Sequence, residues 1–375
     1  MNKTVKWIVG LIVLLVVVVW GYSVFKNPSS PVSNEPIKIG ADFSLTSFGA
    51  SWGEFNRDAA SLAVKEINNG GGINKQRVEL LIEDNKSSVI GAIDAAQKLI
   101  NIDGVHILLT GWADYTNTSA PLLAPNKVVG VTVSAGSPDI TKQSSWLFRV
   151  WPRDSFLSQA LANYIETKGY KKVAIFHTIG AWENGTVSAF KEQLSALGKT
   201  VVAEELVNPD SRDVKTQLTK IKNANPDVIY IIALEPVTGL FLSESKKIGL
   251  NSPKLFAVDA DTSELIKASG GVGNMEGLVY PITKAPRTDF VDKFTAEYGH
   301  SPGVSADTTY DAVMLLAQTI KKVGSDPDAI RTELAKTKNF QGVSGVITFD
   351  EDRDRNEAPI QLMTIKGGEF IPLQY

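Results

Sequence analysis

Ser51 lies within GASWG at 49–53. This is the Gly-x-Ser-x-Gly spacing that exposes a serine nucleophile when a strand ends directly before it and a helix starts directly after. Here SLTSFGA separates the serine from the apolar strand pattern Ile37–Phe43, and only His106, His177 and His300 are available as bases. The setting that serine hydrolysis needs is missing. Asp350, Asp352, Asp354 and Asn356 alternate as calcium ligands do, but Arg355 and Gln361 stand where such a loop requires glycine and a bidentate glutamate. A solvated hairpin turn is the expectation. GGVGNMEG at 270–277 follows a helical pattern instead of a strand and has Glu276 at the third glycine's place, so no helix N-terminus is aimed at a phosphate. The absence of cysteine removes disulfides, thiolate metal sites and cysteine nucleophiles. No cofactor or metal is expected.

A second set of polar and aromatic residues stands just after apolar runs. Asp114, Tyr115 and Thr116 follow the run that ends at Thr110 and open a helical pattern, where free N–H groups could cradle a carboxylate. Ser134, Gly136 and Ser137 follow the next run, with small side chains that let a ligand approach the backbone. Further along, Trp182 follows Lys172–Phe176, Glu235 follows Asp227–Ala233, and Asp259 and Asp261 follow Lys254–Val258. Each alone could be a helix cap or a surface loop residue.

The elements that must position these residues alternate between strand and helix from Ile37 onward, the pattern of a parallel sheet with helices on both faces. Expected strands are 37–43, 78–83, 106–110 and 128–133, then 172–176, 200–206, 227–233 and 254–258. Expected helices are 56–69, 89–102 and 116–124, then 155–168, 185–197, 214–223 and 237–248. Two more helices, 290–298 and 305–323, precede the turn around 350–356. A chain of 375 residues is long enough for two such halves. In open parallel sheets the ligand crevice lies beyond the carboxyl ends of the strands, where the polar set above would converge.

The stretch GASWGEFNRDAASLAVKEINNGGGINKQRVELLIEDN at 49–85, an aromatic, a helix, a triple-glycine turn and a buried strand, resembles the first βαβ unit of type I periplasmic binding proteins of the leucine/isoleucine/valine-binding branch. The resemblance covers nearly all of 37–375. It implies an α/β fold of two doubly wound lobes with parallel sheets joined by a three-segment hinge: lobe one at 37–149 plus 284–357, lobe two at 150–283 plus 358–375. It implies no catalysis, but capture of a small solute such as an amino acid and delivery to ABC permease subunits. The ligand carboxylate would meet the 114–116 segment, with Tyr115 in a usual serine place. The ammonium would meet Ser134, Gly136 and a lobe-two carboxylate, for which Asp259 is the match. Trp52 and Trp182 would close over the ligand.

Trp7–Phe25 carries no charge over 19 residues, enough to span a bilayer core of about 30 Å, and Lys3 and Lys6 precede it. The expectation is an uncleaved anchor at 1–26, a linker at 27–36 and a binding domain on the outer face of the cytoplasmic membrane. A cleavable signal peptide is the rival, although no Ala-x-Ala site follows the apolar run. Setting aside Lys3, Lys6 and Lys26 leaves 35 basic against 41 acidic residues, and no basic face that would attract nucleic acid. A sensory ectodomain acting through a partner, an exported serine hydrolase using Ser51 and a degenerate lobe pair retained for protein contacts are the alternatives.

Overall fold

The computed structural model describes residues 35–283 and 286–374. The uncharged stretch Trp7–Phe25 lies outside them, and no helix among the described residues is long and apolar enough to cross a membrane. The first half runs β1 (Ile37–Phe43), α1 (Ala50–Asn69), β2 (Val78–Asp84), α2 (Val89–Asn101), β3 (Ile107–Thr110), α3 (Ala113–Leu123), β4 (Val129–Thr132) and β5 (Leu147–Arg149). Its five strands form one parallel sheet in the order β2-β1-β3-β4-β5. Central β3 and β4 are buried at every position, as strands covered on both faces must be.

A second series follows: α4 (Asp154–Thr167), β6 (Lys172–Thr178), α5 (Ala181–Ala196), β7 (Thr200–Val207), α6 (Lys215–Ala224), β8 (Val228–Ile232), α7 (Val237–Lys247), β9 (Lys254–Phe256), α8 (Ser263–Ala268) and β10 (Val279–Thr283). The chain then forms α9 (Thr288–Tyr298), α10 (Ala306–Val323), α11 (Pro327–Leu334), a hairpin of β11 (Phe340–Gly342) and β12 (Gly345–Ile347), and finally β13 (Ile360–Lys366) and β14 (Glu369–Pro372). The second sheet has the order β14-β13-β10-β9-β8-β6-β7, with the last two strands of the chain added antiparallel at one edge.

The cores show which segments belong together. One cluster joins Ile39, Phe43, Leu108 and Val131 of the first sheet to Phe290, Phe294, Val313 and Leu316 of α9 and α10. The two faces of the second sheet carry their own clusters, Phe176, Phe241 and Phe256 on one side and Ile165, Phe190 and Tyr230 on the other. The first lobe is therefore discontinuous in sequence. α10 packs on α1, where Ser305 Oγ donates to Asn56 Oδ1 at 2.6 Å and the Tyr310 hydroxyl donates to Glu66 at 2.7 Å.

Several boundaries differ from the sequence expectation, mostly at helix starts. α1 begins at Ala50, six residues early, so Ser51 lies in a first helical turn instead of on a sharp elbow. Gly53 is needed there because a Cβ would sit 1.9 Å from the Ser44 carbonyl oxygen. α3 and α5 likewise begin at 113 and 181, which makes Asp114 and Trp182 first-turn residues instead of loop residues. The triple glycine ends α1 as expected, although only Gly71 and Gly72 take positive φ. β5, α8, β10, α11 and the β11–β12 hairpin are too short to show a periodic pattern.

Two of the three dismissed motifs have structural duties. Arg149 is fully buried and grips Asp354 through both arms, Nε–Oδ1 at 2.8 Å and Nη2–Oδ2 at 2.5 Å. Arg153 pairs with Asp350 at 2.9 Å. The acidic run thus neutralises arginines. Glu276 of the glycine-rich stretch accepts from the amides of Gly367 and Gly368, docking the β13–β14 turn.

Candidate functional site

In the first sheet the strand order reverses beside β1, between β2 and β3; in the second it reverses beside β6, between β7 and β8. The crevice of an open parallel sheet lies at such points, beyond the carboxyl strand ends. A cavity of about 480 Å³ lies there between the lobes. The first lobe supplies Phe48, Trp52, Trp112, Asp114, Tyr115, Ser134 and Gly136; the second supplies Asp154, Thr178, Trp182, Glu183, Leu234, Glu235 and Val258. Trp151 lies on the segment that joins them.

The first-lobe wall is aromatic. Trp112 packs edge-on against Trp52 at 5.3 Å and Phe48 at 5.4 Å, and stacks on Tyr115 at 5.9 Å with 12° between the planes. Trp112 holds φ at 56°, a strained conformation for a residue with a side chain and one that tends to occur at functional sites. Its amide donates to Ser134 Oγ at 3.2 Å. The loop carrying Ser134 is held from behind, because Arg149 donates to the carbonyls of Ala135, Ser137 and Pro138 at 3.1, 2.6 and 3.1 Å.

The lobes touch along this cavity. The Ala181 amide at the start of α5 donates to Asp114 Oδ1 at 3.3 Å, and the Asp154 amide donates to the Gly136 carbonyl at 3.0 Å. A Cβ on Gly136 would fall 1.9 Å from Asp154 Oδ1, so only glycine permits this approach. Trp182 packs against the cores of both lobes.

Burial shapes the acids. Asp154 is pushed up to about 6 by desolvation, against the pull of Arg149 and the hydrogen bonds of Thr186 and Trp182. Glu183 is raised mainly by burial, with the Asp114 charge adding to the rise, while Thr178 donates to it at 2.7 Å. Glu235 is raised by burial too, and Tyr115 is raised by burial and by the charges of Asp114 and Asp42.

Of the residues singled out from the sequence, Trp52, Asp114, Tyr115, Ser134, Gly136, Trp182 and Glu235 line this cavity together. Thr116 does not. Its hydroxyl is buried beneath the wall, sharing hydrogen bonds with Thr110 and Thr132 at 3.2 Å each. Ser137 sits beside the cavity at the lobe contact, its Oγ 3.0 Å from where a Gly185 Cβ would be. Asp259 borders a separate space of about 10 Å³ behind Trp52, Trp151 and Val258. It is pushed up to about 7 by burial, then by Asp261 and Asp307. Phe48, Trp112, Trp151, Asp154 and Glu183 went unnoticed. Trp112 and Glu183 stand just past strand ends and could have been found by the same rule; Trp151 and Asp154 depend on how the crossing segment folds. Among the described residues no cluster of acids or histidines is arranged to hold a metal.

Two α/β lobes that meet across a cavity lined from both sides define the class of solute-binding proteins. A family model described as periplasmic binding protein matches residues 36–369, and the chain belongs to that family. It is similar to a Leu/Ile/Val-binding protein of Rhizobium johnstonii, 27% identical over 91% of this chain and 95% of that one. Among solved structures it resembles a branched-chain amino acid transporter substrate binding protein of Streptococcus pneumoniae in complex with isoleucine, at TM-score 0.81 and 25% identity, covering 91% of this chain and 100% of that one. It also resembles a leucine binding protein of Thermotoga maritima, at TM-score 0.82 and 26% identity, covering 90% and 98%. These relatives are substrate-binding proteins, not enzymes.

Proposed function

We propose that this protein captures a small ammonium-bearing solute, an amino acid or a close derivative of one, between its lobes and delivers it to an ABC-type importer. The observation that carries this reading is the 480 Å³ cavity lined from both lobes at the sheet switch points. Contacts made by both lobes stabilise the closed state over the open one, so ligand binding drives closure about a hinge whose crossings fall near 149/150, 283/284 and 357/358. Trp52 and Trp182 form opposite walls. Asp114, Glu183 and Glu235 are the nearest partners for an ammonium, with Ser134 and the Gly136 backbone beside them; Asp259 acts from the adjoining space. The names of the relatives support amino-acid chemistry. The binding domain works on the outer face of the cytoplasmic membrane, held there by Trp7–Phe25.

The test is a thermal-shift and tryptophan-fluorescence screen of the full-length protein against the amino acids and their simple derivatives. Saturation at about 100 times the dissociation constant adds roughly 2.7 kcal/mol of stability. A ligand that stabilises the protein and changes its emission supports capture by closure. Stabilisation by no member of the panel would count against the amino-acid class.

A further inference from the structure

Five helices begin at the cavity wall: α1, α3, α4, α5 and α7. A helix N-terminus carries roughly half a positive charge and is the natural seat for a ligand carboxylate. Glu235 stands just before the Pro236 cap of α7, while α1 has no acid in its first turn. α3, α4 and α5 each carry an acid in the first turn, Asp114, Asp154 and Glu183 respectively. All three acids line the cavity, as do Glu235 and Asp210. The one cation in the lining, Arg212, lies exposed at the mouth beside Asp210. Arg149, behind Asp154, is committed to Asp354. An incoming carboxylate would meet negative charge at four of the five helix ends that could have attracted it.

The lobes add a second constraint. Asp114 belongs to the first lobe and Glu183 to the second, and the charge of Asp114 is felt at Glu183 across the cleft. Closing the lobes brings these like charges together, offset in this structure by the Ala181 amide at the start of α5, which donates to Asp114. Four indoles and the Phe48 phenyl make up much of the remaining wall, beside Tyr115, Ile179, Leu234 and Val258; aromatic faces attract cations and this area suits an apolar body.

We infer that the cavity takes a net cation: an amine whose carboxylate is absent or masked as an amide or ester, with its apolar body against the tryptophans and its ammonium between Asp114 and Glu183. This rests on the capture reading above and narrows its ligand class.

The experiment titrates the full-length protein near neutral pH, by calorimetry, with L-leucine and L-leucinamide, L-phenylalanine and L-phenylalaninamide, and L-tryptophan and L-tryptophanamide. N-acetylated forms of the three acids are the anionic controls. The expected result is that the tightest-binding pair favours the amide by roughly tenfold or more, as a contact with a desolvated charge warrants. N-acetyl forms should not bind. Asp114→Asn should then shrink the amide-to-acid ratio by at least about threefold, a ratio that a general weakening of closure leaves alone. A parent amino acid that binds as tightly as its amide overturns the inference while leaving amino-acid capture intact. An unchanged ratio in Asp114→Asn also overturns it. Binding of none of the nine probes would sink the capture of amino-acid-class solutes and the inference together.

Discussion

Replacing Asp354 by asparagine should be among the most damaging isosteric changes available in this protein. Both side chains of the Arg149–Asp354 pair are essentially excluded from water, at 0% and 2% exposure. Removing one partner of a buried ion pair costs about 3–5 kcal/mol, because the remaining charge is left without compensation. Arg149 also donates to three carbonyls of the 135–138 loop, which modifies the usual expectation for such pairs. Replacing a buried pair with apolar residues is often harmless. Here Arg149→Met with Asp354→Leu would leave those carbonyls unpaired, at about 1–3 kcal/mol for each buried group that finds no other donor. The double variant should therefore be no more stable than Asp354→Asn. The assay is urea unfolding of the parent, both variants and Lys65→Met. Lys65→Met removes the exposed Lys65–Glu297 pair and should cost at most about 1 kcal/mol. If Asp354→Asn costs no more than Lys65→Met, or if the double variant regains the parent's stability, the clamp does not work as described.

Three further outcomes are expected. Gly136→Ala places a methyl on Asp154 at the lobe contact, so it should abolish solute binding while costing stability only about 1–3 kcal/mol; undiminished affinity in calorimetry would show that the lobes do not need this approach. Asp259, held near 7 in the folded protein against about 4 when unfolded, binds its proton more tightly in the native state, so its contribution to stability falls as pH rises between those values. Asp259→Asn should then match the parent's melting temperature at about pH 4 and exceed it at about pH 8, and a constant difference across that range would rule out the burial penalty. Finally, the native protein should stay with membranes through a high-salt wash and begin at or near Met1, because Trp7–Phe25 is long enough to span; an N-terminus found between Tyr22 and Glu35 would show that the segment is removed.

Strands carried the legible part of the fold. Ile37–Phe43, Val78–Asp84 and Val228–Ile232 read within a residue or so of their ends, because an apolar run bounded by turn residues has few other interpretations. Helix starts were less legible. Neither α3 nor α5 has a side-chain cap, so Trp112-Ala113 and Gly180-Ala181 carry no sign that a helix has begun. The shift matters for the site, because it places Asp114, Trp182 and Glu183 in first helical turns that line the cavity. Asp259 was misplaced for a different reason. β9 ends at Phe256 and not at Val258, so Asp259 lies three residues beyond the strand and turns behind Trp52. Asp154 depends on a tertiary contact with Gly136, which no local pattern records.

The Arg149–Asp354 clamp also sets an order of events at the ribosome. The arginine is synthesised 205 residues before the carboxylate that completes it. At ordinary elongation rates that is a wait of roughly 10–40 s. Asn56 likewise waits for Ser305, 249 residues later. The first lobe is thus incomplete until Asp354 is made, with the Arg149 guanidinium uncompensated until then, and the second sheet waits longer still for β13 and β14. If the chain crosses a membrane before it folds, as the periplasmic binding protein family suggests, that delay works in favour of export.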